Sequence, residues 1–266
     1  MFHSRMFKST LVIFGLLLAF SFSVAKAQTA ADDKAAAIVS KAVQFVGGDR
    51  YLQIRSQVGR GKYSVIHDNM VASFQSFTDV IVFPDKERTE FKTGGSKSIQ
   101  ANIGKTGWMY DSDQDSIKIQ TPEQIENFNR GIRVSLDSIL RGYWKGSAEM
   151  SYVGRRPASL GKRNDVVRLT YNDGFVIEFE FADDGTPAKA VYKHTNADGT
   201  EITEEDRYAQ FIDVGGVKTP FIIDRYTNGA QNSRINYDTV EFNKTIPDSV
   251  FAKPANPKEL KKDLKL

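Results

Sequence analysis

Residues 166 to 182 read VVRLTYNDGFVIEFEFA, and this stretch decides the fold. Phe175, Ile177, Phe179 and Phe181 are apolar at every second position, with Val176, Glu178 and Glu180 between them. Just upstream, Val167, Leu169 and Tyr171 alternate with Arg168 and Thr170. Successive side chains of a strand point to opposite faces. Both segments therefore read as antiparallel strands with one apolar and one wet face. Asn172-Asp173-Gly174 between them supplies the positive φ that a tight hairpin demands.

The same punctuation recurs downstream at Asp183-Asp184-Gly185, Asp198-Gly199, Gly215-Gly216 and Asn228-Gly229. The glycines at 174, 185, 199, 215 and 229 are spaced 11, 14, 16 and 14 residues apart, which predicts sequential antiparallel strands in an up-and-down meander. Upstream, strand patterns cover Val58 to Ile66, Val71 to Phe83, Arg88 to Phe91, Lys97 to Ile103, Gly107 to Tyr110 and Ser116 to Ile119. Turn chemistry at His67-Asp68-Asn69, Pro84-Asp85, Gly94-Gly95 and Asp111 to Asp115 separates them.

Two helical segments interrupt this pattern. Residues 30 to 46 carry Asp32 and Asp33 in the first turn and an apolar stripe of Ile38, Val39, Ala42, Val43, Phe45 and Val46, stopped by Gly47-Gly48. A short further turn fits Asp49 to Ser56, with Leu52 and Ile54 inward. In mid-chain, Thr121-Pro122-Glu123-Gln124 is a start signal, and Ile125, Phe128, Ile132, Leu136, Ile139 and Tyr143 recur at spacings of three and four. That predicts one amphipathic helix of about five turns. The expected architecture is α+β and mostly antiparallel: a strongly curved, half-open barrel of about eleven strands with helices covering its concave face. Residues 28 to 254 form one domain in this reading. A basic tail, 255 to 266, follows; residues 252 to 266 hold five lysines against one Glu and one Asp, which reads as a solvated terminus.

The first 27 residues read as an export signal. Arg5 and Lys8 precede an apolar run from Leu11 to Val24, and Ala25-Lys26-Ala27 is an A-x-A site. The run is short for a membrane span, which needs roughly 20 residues. The chain of 266 residues carries 36 Lys and Arg against 33 Asp and Glu, and three of the basic residues lie in the leader. Without Arg5, Lys8 and Lys26 the balance is 33 to 33. The basic excess belongs to the leader, and no nucleic-acid partner is expected. An outer-membrane barrel is disfavoured because the chain ends in Lys261-Lys262-Asp263-Leu264-Lys265-Leu266 and a helix interrupts the strands.

The absence of cysteine excludes disulfides, thiolate nucleophiles, Cys-ligated zinc and a lipidated N-terminus of its own. Beyond the leader only His67 and His194 remain, and both read as solvated. No phosphate-binding, dinucleotide-binding, zinc-protease or serine-hydrolase motif occurs. Asp111-Ser112-Asp113-Gln114-Asp115 opens like a calcium loop, but Ser116 stands where Gly is needed and Pro122 where Glu is needed, so it reads as an acidic hairpin turn. Glu204-Glu205-Asp206 need not converge, because neighbours in a strand face opposite sides. No metal, cofactor or catalytic residue is expected.

What remains is apolar surface: Phe, Tyr and Trp concentrated on one sheet face and one helix face. It forms either a filled core or the wall of a cavity for acyl chains or small apolar ligands. The candidate wall is Trp108, Tyr110, Ile125, Phe128, Ile132, Leu136, Val167, Leu169, Phe175, Ile177, Phe179, Phe181, Phe221 and Ile223.

Several segments are similar to the LolA/LolB family of periplasmic lipoprotein carriers, and especially to the larger outer-membrane lipoprotein-sorting-type proteins. They are Phe45-Val46-Gly47-Gly48 with Leu52-Gln53-Ile54-Arg55-Ser56, then Gly107-Trp108-Met109-Tyr110-Asp111, Gly216-Val217-Lys218-Thr219-Pro220-Phe221, and Phe242-Asn243-Lys244-Thr245-Ile246-Pro247-Asp248-Ser249-Val250-Phe251. The likeness spans most of residues 30 to 254. It implies a half-barrel with a lid, sheltering the acyl chains of lipoproteins in the periplasm. An arginine near the lid holds it closed in those carriers; it has no residue-by-residue counterpart here, where Arg130 and Arg133 lie on the mid-chain helix and Arg225 shares a strand face with Phe221 and Ile223. The expected protein is a monomeric, non-enzymatic periplasmic carrier. Its partners are a lipidated protein or lipid-like ligand, together with inner- or outer-membrane transport partners. The alternative is a scaffold or subunit of a cell-envelope complex with a filled core.

Overall fold

The computed structural model describes residues 32–159, 161–196, 198–262, 264 and 266. The expected leader lies outside them. Among the described residues no helix is long and apolar enough to cross a membrane.

The chain opens with α1 (residues 32–46) and α2 (Asp49–Leu52). Six strands follow: β1 (Ser56–His67), β2 (Met70–Val82), β3 (Lys86–Thr93), β4 (Ser96–Ile103), β5 (Thr106–Asp111) and β6 (Ser116–Ile119). Two helices, α3 (Pro122–Val134) and α4 (Leu136–Arg141), lead to seven more strands. These are β7 (Ala148–Pro157), β8 (Arg163–Tyr171), β9 (Val176–Phe181), β10 (Pro187–Thr195), β11 (Glu201–Val214), β12 (Val217–Thr227) and β13 (Ala230–Phe242). All belong to one antiparallel sheet of 13 strands in the order β6-β5-β4-β3-β2-β1-β13-β12-β11-β10-β9-β8-β7. The expected half-open barrel is present with more strands than about eleven. The element without a sequence reading is β7, which pairs with β8 through Met150↔Leu169 and Tyr152↔Val167.

This topology dictates where the helices go. The first meander ends at one edge, β6, and the second begins at the other edge, β7. Their connection must cross the curved sheet, so α3 and α4 lie on its concave side. The mid-chain helix is not continuous. Thr121 caps α3 through a capping box with Gln124, as expected, but Ser135 is extended (φ −68°, ψ 152°). Ser135 both ends α3 and accepts the Ser138 N–H as N-cap of α4. Serine favours caps over helix interiors because its hydroxyl competes for backbone groups.

The concave face is filled on one side only. Ala35, Ala42, Val43 and Val46 of α1 pack with Ile139 and Leu140 of α4 onto Val167, Leu169, Ile177, Phe179 and Phe181. Gly47 turns the chain away at φ +127°, and a Cβ there would stand 2.5 Å from the Gly216 carbonyl oxygen, so only glycine fits. Ile54 is buried as expected; Leu52 is exposed, a departure from its inward reading.

The convex face has two characters. Over β8–β12 it is wet and laced with ion pairs: Glu178 meets Arg156 and Arg168, and Glu205 meets Lys189 and Arg207. Over β1–β5 it is apolar and covered by residues 246–262. Phe251 and Val250 pack on Val58 and Val80, and Leu260 packs on Ile99, Trp108 and Tyr110. Trp108 Nε1 donates to the Phe251 carbonyl at 2.8 Å, and Lys97 Nζ donates to the carbonyls of Leu260 and Lys262. A buried triad underlies this strap, with Glu90 between Arg88 (2.5 Å) and Lys97 (2.9 Å). The basic end, expected to be solvated, is docked through Leu260 up to residue 262.

Candidate functional site

A cavity of about 800 Å³ occupies the unfilled part of the concave face, between β1–β3, β10–β13 and the helices α3 and α4. That is within the range of small-molecule and cofactor sites. Its wall combines rings (Tyr63, Phe77, Phe91, Phe128, Phe211, Phe242) with a polar floor of Asp79, Glu87, Asp206 and Arg225.

Strand register assembles that floor. Asp79 of β2 lies opposite Thr89 of β3, with Glu87 two residues along on the same face. The Thr89 hydroxyl donates to Asp79 Oδ1 at 2.7 Å and lies 3.3 Å from Glu87 Oε1. Gly59 of β1 leaves the room that the Tyr237 ring occupies; a Cβ there would stand 2.4 Å from that ring. Glu204 and Asp206 share the cavity face of β11 while Glu205 points to the convex side. The alternation anticipated from sequence holds, but Asp206 faces the cavity rather than a wet edge. Arg225 Nε stands 3.6 Å from Asp206 Oδ1.

Enclosure shifts these groups. Burial pushes the Asp79 carboxyl well above the usual range, neighbouring Glu87 adds to this, and the Thr89 hydrogen bond and Arg225 oppose it. Burial likewise raises Glu87 and Asp206, with Arg225 pulling both down. The Tyr192 hydroxyl is pushed up to about 12 by burial and then by Asp206 and Glu204. A raised carboxyl pKa means that the folded state holds a proton the unfolded chain has released, so stability falls as pH rises through that window. Asp79→Asn keeps the acceptor for Thr89 and removes the titration. The variant is expected to exceed the parent in urea midpoint at pH 7–8, with the gain vanishing toward pH 4; a pH-independent difference would contradict this account.

The helices close the cavity unequally. Asp137 of α4 accepts from Tyr51 Oη at 2.7 Å and from Arg141 Nε at 2.6 Å, and Arg141 donates to the Ile54 carbonyl. Helix α3 is held by Arg133 on Asp173 and by Gln124 on the Met109 sulfur. Arg130 donates to Asn127 on its own helix.

Of the residues expected to line a cavity, Phe128, Leu136 and Ile223 do so. Val167, Leu169, Ile177, Phe179 and Phe181 are fully buried in the solid core under α1 and α4, with Phe175 at its margin. Trp108 and Tyr110 lie on the opposite, convex face beneath Leu260. Ile125, Ile132 and Phe221 are not on the cavity wall; α3 turns Asn127, Phe128, Arg130, Gly131 and Val134 toward it instead. The residues that sequence reasoning missed are the polar ones: Asp79, Thr89, Glu87 and Tyr237. Their signal was an acid inside the apolar run from Phe77 to Val82.

No protein-family model and no curated protein matches this sequence. Solved structures do share the fold. A LolA superfamily protein from Nitrosomonas europaea superposes with a TM-score of 0.54 at 15% identity, over 82% of this chain and 97% of that one. A DUF1329 family protein from Desulfovibrio piger gives 0.57 at 13% identity, over 81% and 96%. A domain from Vibrio parahaemolyticus described as an outer membrane lipoprotein-sorting protein gives 0.52 at 11% identity, over 78% and 92%. The chain therefore carries the LolA-type fold, a curved antiparallel half-barrel with its crossing helices inside the curve.

Proposed function

We propose that this protein is a periplasmic carrier that shelters the acyl part of a lipoprotein or other lipid-like ligand in the cavity beneath α3. One observation carries the reading: the half-barrel is solid under α1 but hollow under α3, with about 800 Å³ left between sheet and helix. An acyl chain gains about 0.8 kcal/mol per buried methylene, and the rings of Phe77, Phe91, Phe128 and Phe242 offer it a dry wall. The solved structures of the same fold include a lipoprotein-sorting domain, which supports a carrier role. The leader and its A-x-A site support export. The chemistry is non-covalent sheltering, with no catalytic step.

Native mass spectrometry of the protein purified from its own periplasm tests the reading. The expected result is a co-purifying acyl-bearing species, displaced by fluorescent acyl probes. Protein that is repeatedly empty and also fails to bind those probes would sink it. That outcome would favour the second reading, a cell-envelope scaffold, which the solid packing around Phe179 supports.

A further inference from the structure

The cavity floor does not suit a purely apolar guest. Arg225 lines the cavity, and 46% of its side chain is reachable by water there. Its guanidinium forms no hydrogen bond with any described residue; its nearest acceptor, Asp206, stands at 3.6 Å. A guanidinium carries five N–H donors in a fixed fork suited to carboxylate or phosphate. The free donors of Arg225 open into the cavity, where an acceptor brought by a ligand can take the place of water. The hydroxyls of Tyr208 and Tyr237, both near Arg225, are also without a hydrogen-bond partner among the described residues.

Charge balance narrows the guest. Arg225 faces three carboxyl groups: Asp206 beside it, and Asp79 with Glu87, both near enough to feel its charge. The other ionic groups on the wall have local contacts of their own: Arg141 pairs with Asp137, Arg130 donates to Asn127, Glu204 accepts from Thr227, and the Lys218 ammonium lies over the Phe45 ring at the α1 end of the cavity. An anionic head group alone would satisfy Arg225 but add repulsion against the three carboxyls. A neutral head would leave the fork open. A cation alone would suit Asp79 and Glu87 and repel Arg225.

We infer that the floor receives a zwitterionic head group, its anionic part on Arg225 and its ammonium between Asp79 and Glu87. This rests on the carrier reading and names the ligand class for it: an acyl amphiphile whose head carries both charges. Thr89 spends its one proton on Asp79, and an ammonium would displace the proton that burial holds on the pair, leaving carboxylate oxygens that accept from it. An ammonium supplies the donors they lack. Tyr237, over Gly59 between the two poles, would present its hydroxyl to the linking atoms of the head.

Three palmitoyl probes separate the possibilities: lysophosphatidylethanolamine, lysophosphatidylglycerol and monopalmitoylglycerol, each competing against a fluorescent acyl probe. The zwitterion is expected to bind about tenfold tighter than either other probe, the scale of one charge-assisted pair. Arg225→Gln is expected to bring the zwitterion down to the level of monopalmitoylglycerol. The double change Asp79→Asn with Glu87→Gln is expected to erase its advantage over the anionic probe. Arg225→Lys, which keeps the charge and loses the fork, should retain part of the preference and serves if the glutamine variant fails to fold. Binding of all three probes within twofold of one another, or a preference untouched by the folded variants, would overturn the inference while leaving the carrier intact. Failure to bind any of the three would overturn the carrier reading itself.

Discussion

Glu90→Gln is expected to destabilise the protein by about 3–5 kcal/mol, the cost of removing one member of a buried ion network. Glu90 is 2% exposed, and its two carboxylate oxygens hold Arg88 and Lys97, which are buried with it. Glutamine has the same shape and no charge, so two enclosed cations would lose their counter-ion. Arg88 already carries a buried Nε with no hydrogen-bond partner among the described residues. The damage should reach beyond the triad. Arg88 donates to the Val250 carbonyl, and Lys97 to those of Leu260 and Lys262, so the strap loses its polar anchors together. Urea unfolding reads the first effect, and limited proteolysis within residues 244–262 reads the second. A variant with the parent's midpoint and an uncut strap would show that the triad is dispensable.

Phe179→Ala is expected to cost about 3–5 kcal/mol, as deletion of a large side chain from a close-packed core does. Phe179 is 0% exposed and sits among Val167, Ile177 and the α1 residues Ala42 and Val43, with no open space beside it. Its loss should leave acyl-probe affinity within about twofold in protein that remains folded, because the cavity lies on the other side of α1 and α4. Ile223→Ala is the contrasting change. Ile223 is half-buried on the cavity wall, so its truncation should cost less stability and more probe binding. Equal effects of the two changes on binding would mean that the hollow is not where the guest sits.

The two phenylalanine-rich and isoleucine-bearing strands illustrate what sequence could reveal. Alternation places Phe179 and Ile223 each on the apolar face of its own strand, and both face the concave side of the sheet. Whether that side meets solid core or empty space depends on α1, which packs over β8–β10 and meets β12 only at its start, at Val217 and Lys218, leaving Ile223 uncovered. No local pattern encodes that reach. Trp108 and Tyr110 failed for a related reason. Their alternation with Gly107 and Met109 marks one apolar face, but both faces of β1–β5 are covered, one by helices and one by a strap arriving from Leu260. The break at Ser135 was closer to legible. The apolar spacing runs through it, yet Ser135 ahead of Asp137 is itself a helix start, and the cap outweighed the period. Asp79 and Glu87 meet only because the β2–β3 register aligns Asp79 with Thr89, which a count along one strand does not reveal.

The seam between β1 and β13 has a kinetic side. Arg60 on β1 and Glu241 on β13 are 181 residues apart in sequence, yet they are ladder neighbours at the middle of the sheet. Every other strand pairs with its sequence neighbour, so two meanders can zip locally while the central joint waits for the slowest encounter in the chain. Closing a loop of that length costs about 4–5 kcal/mol of chain entropy before any seam contact compensates. Until it closes, both β1 and β13 are open edges, each a template for pairing with a second copy of the chain. Refolding yield should therefore fall with protein concentration more steeply than the stability of the finished fold would suggest, and a circular permutation that links the strap after β13 to α1 would shorten that loop and bring the step forward.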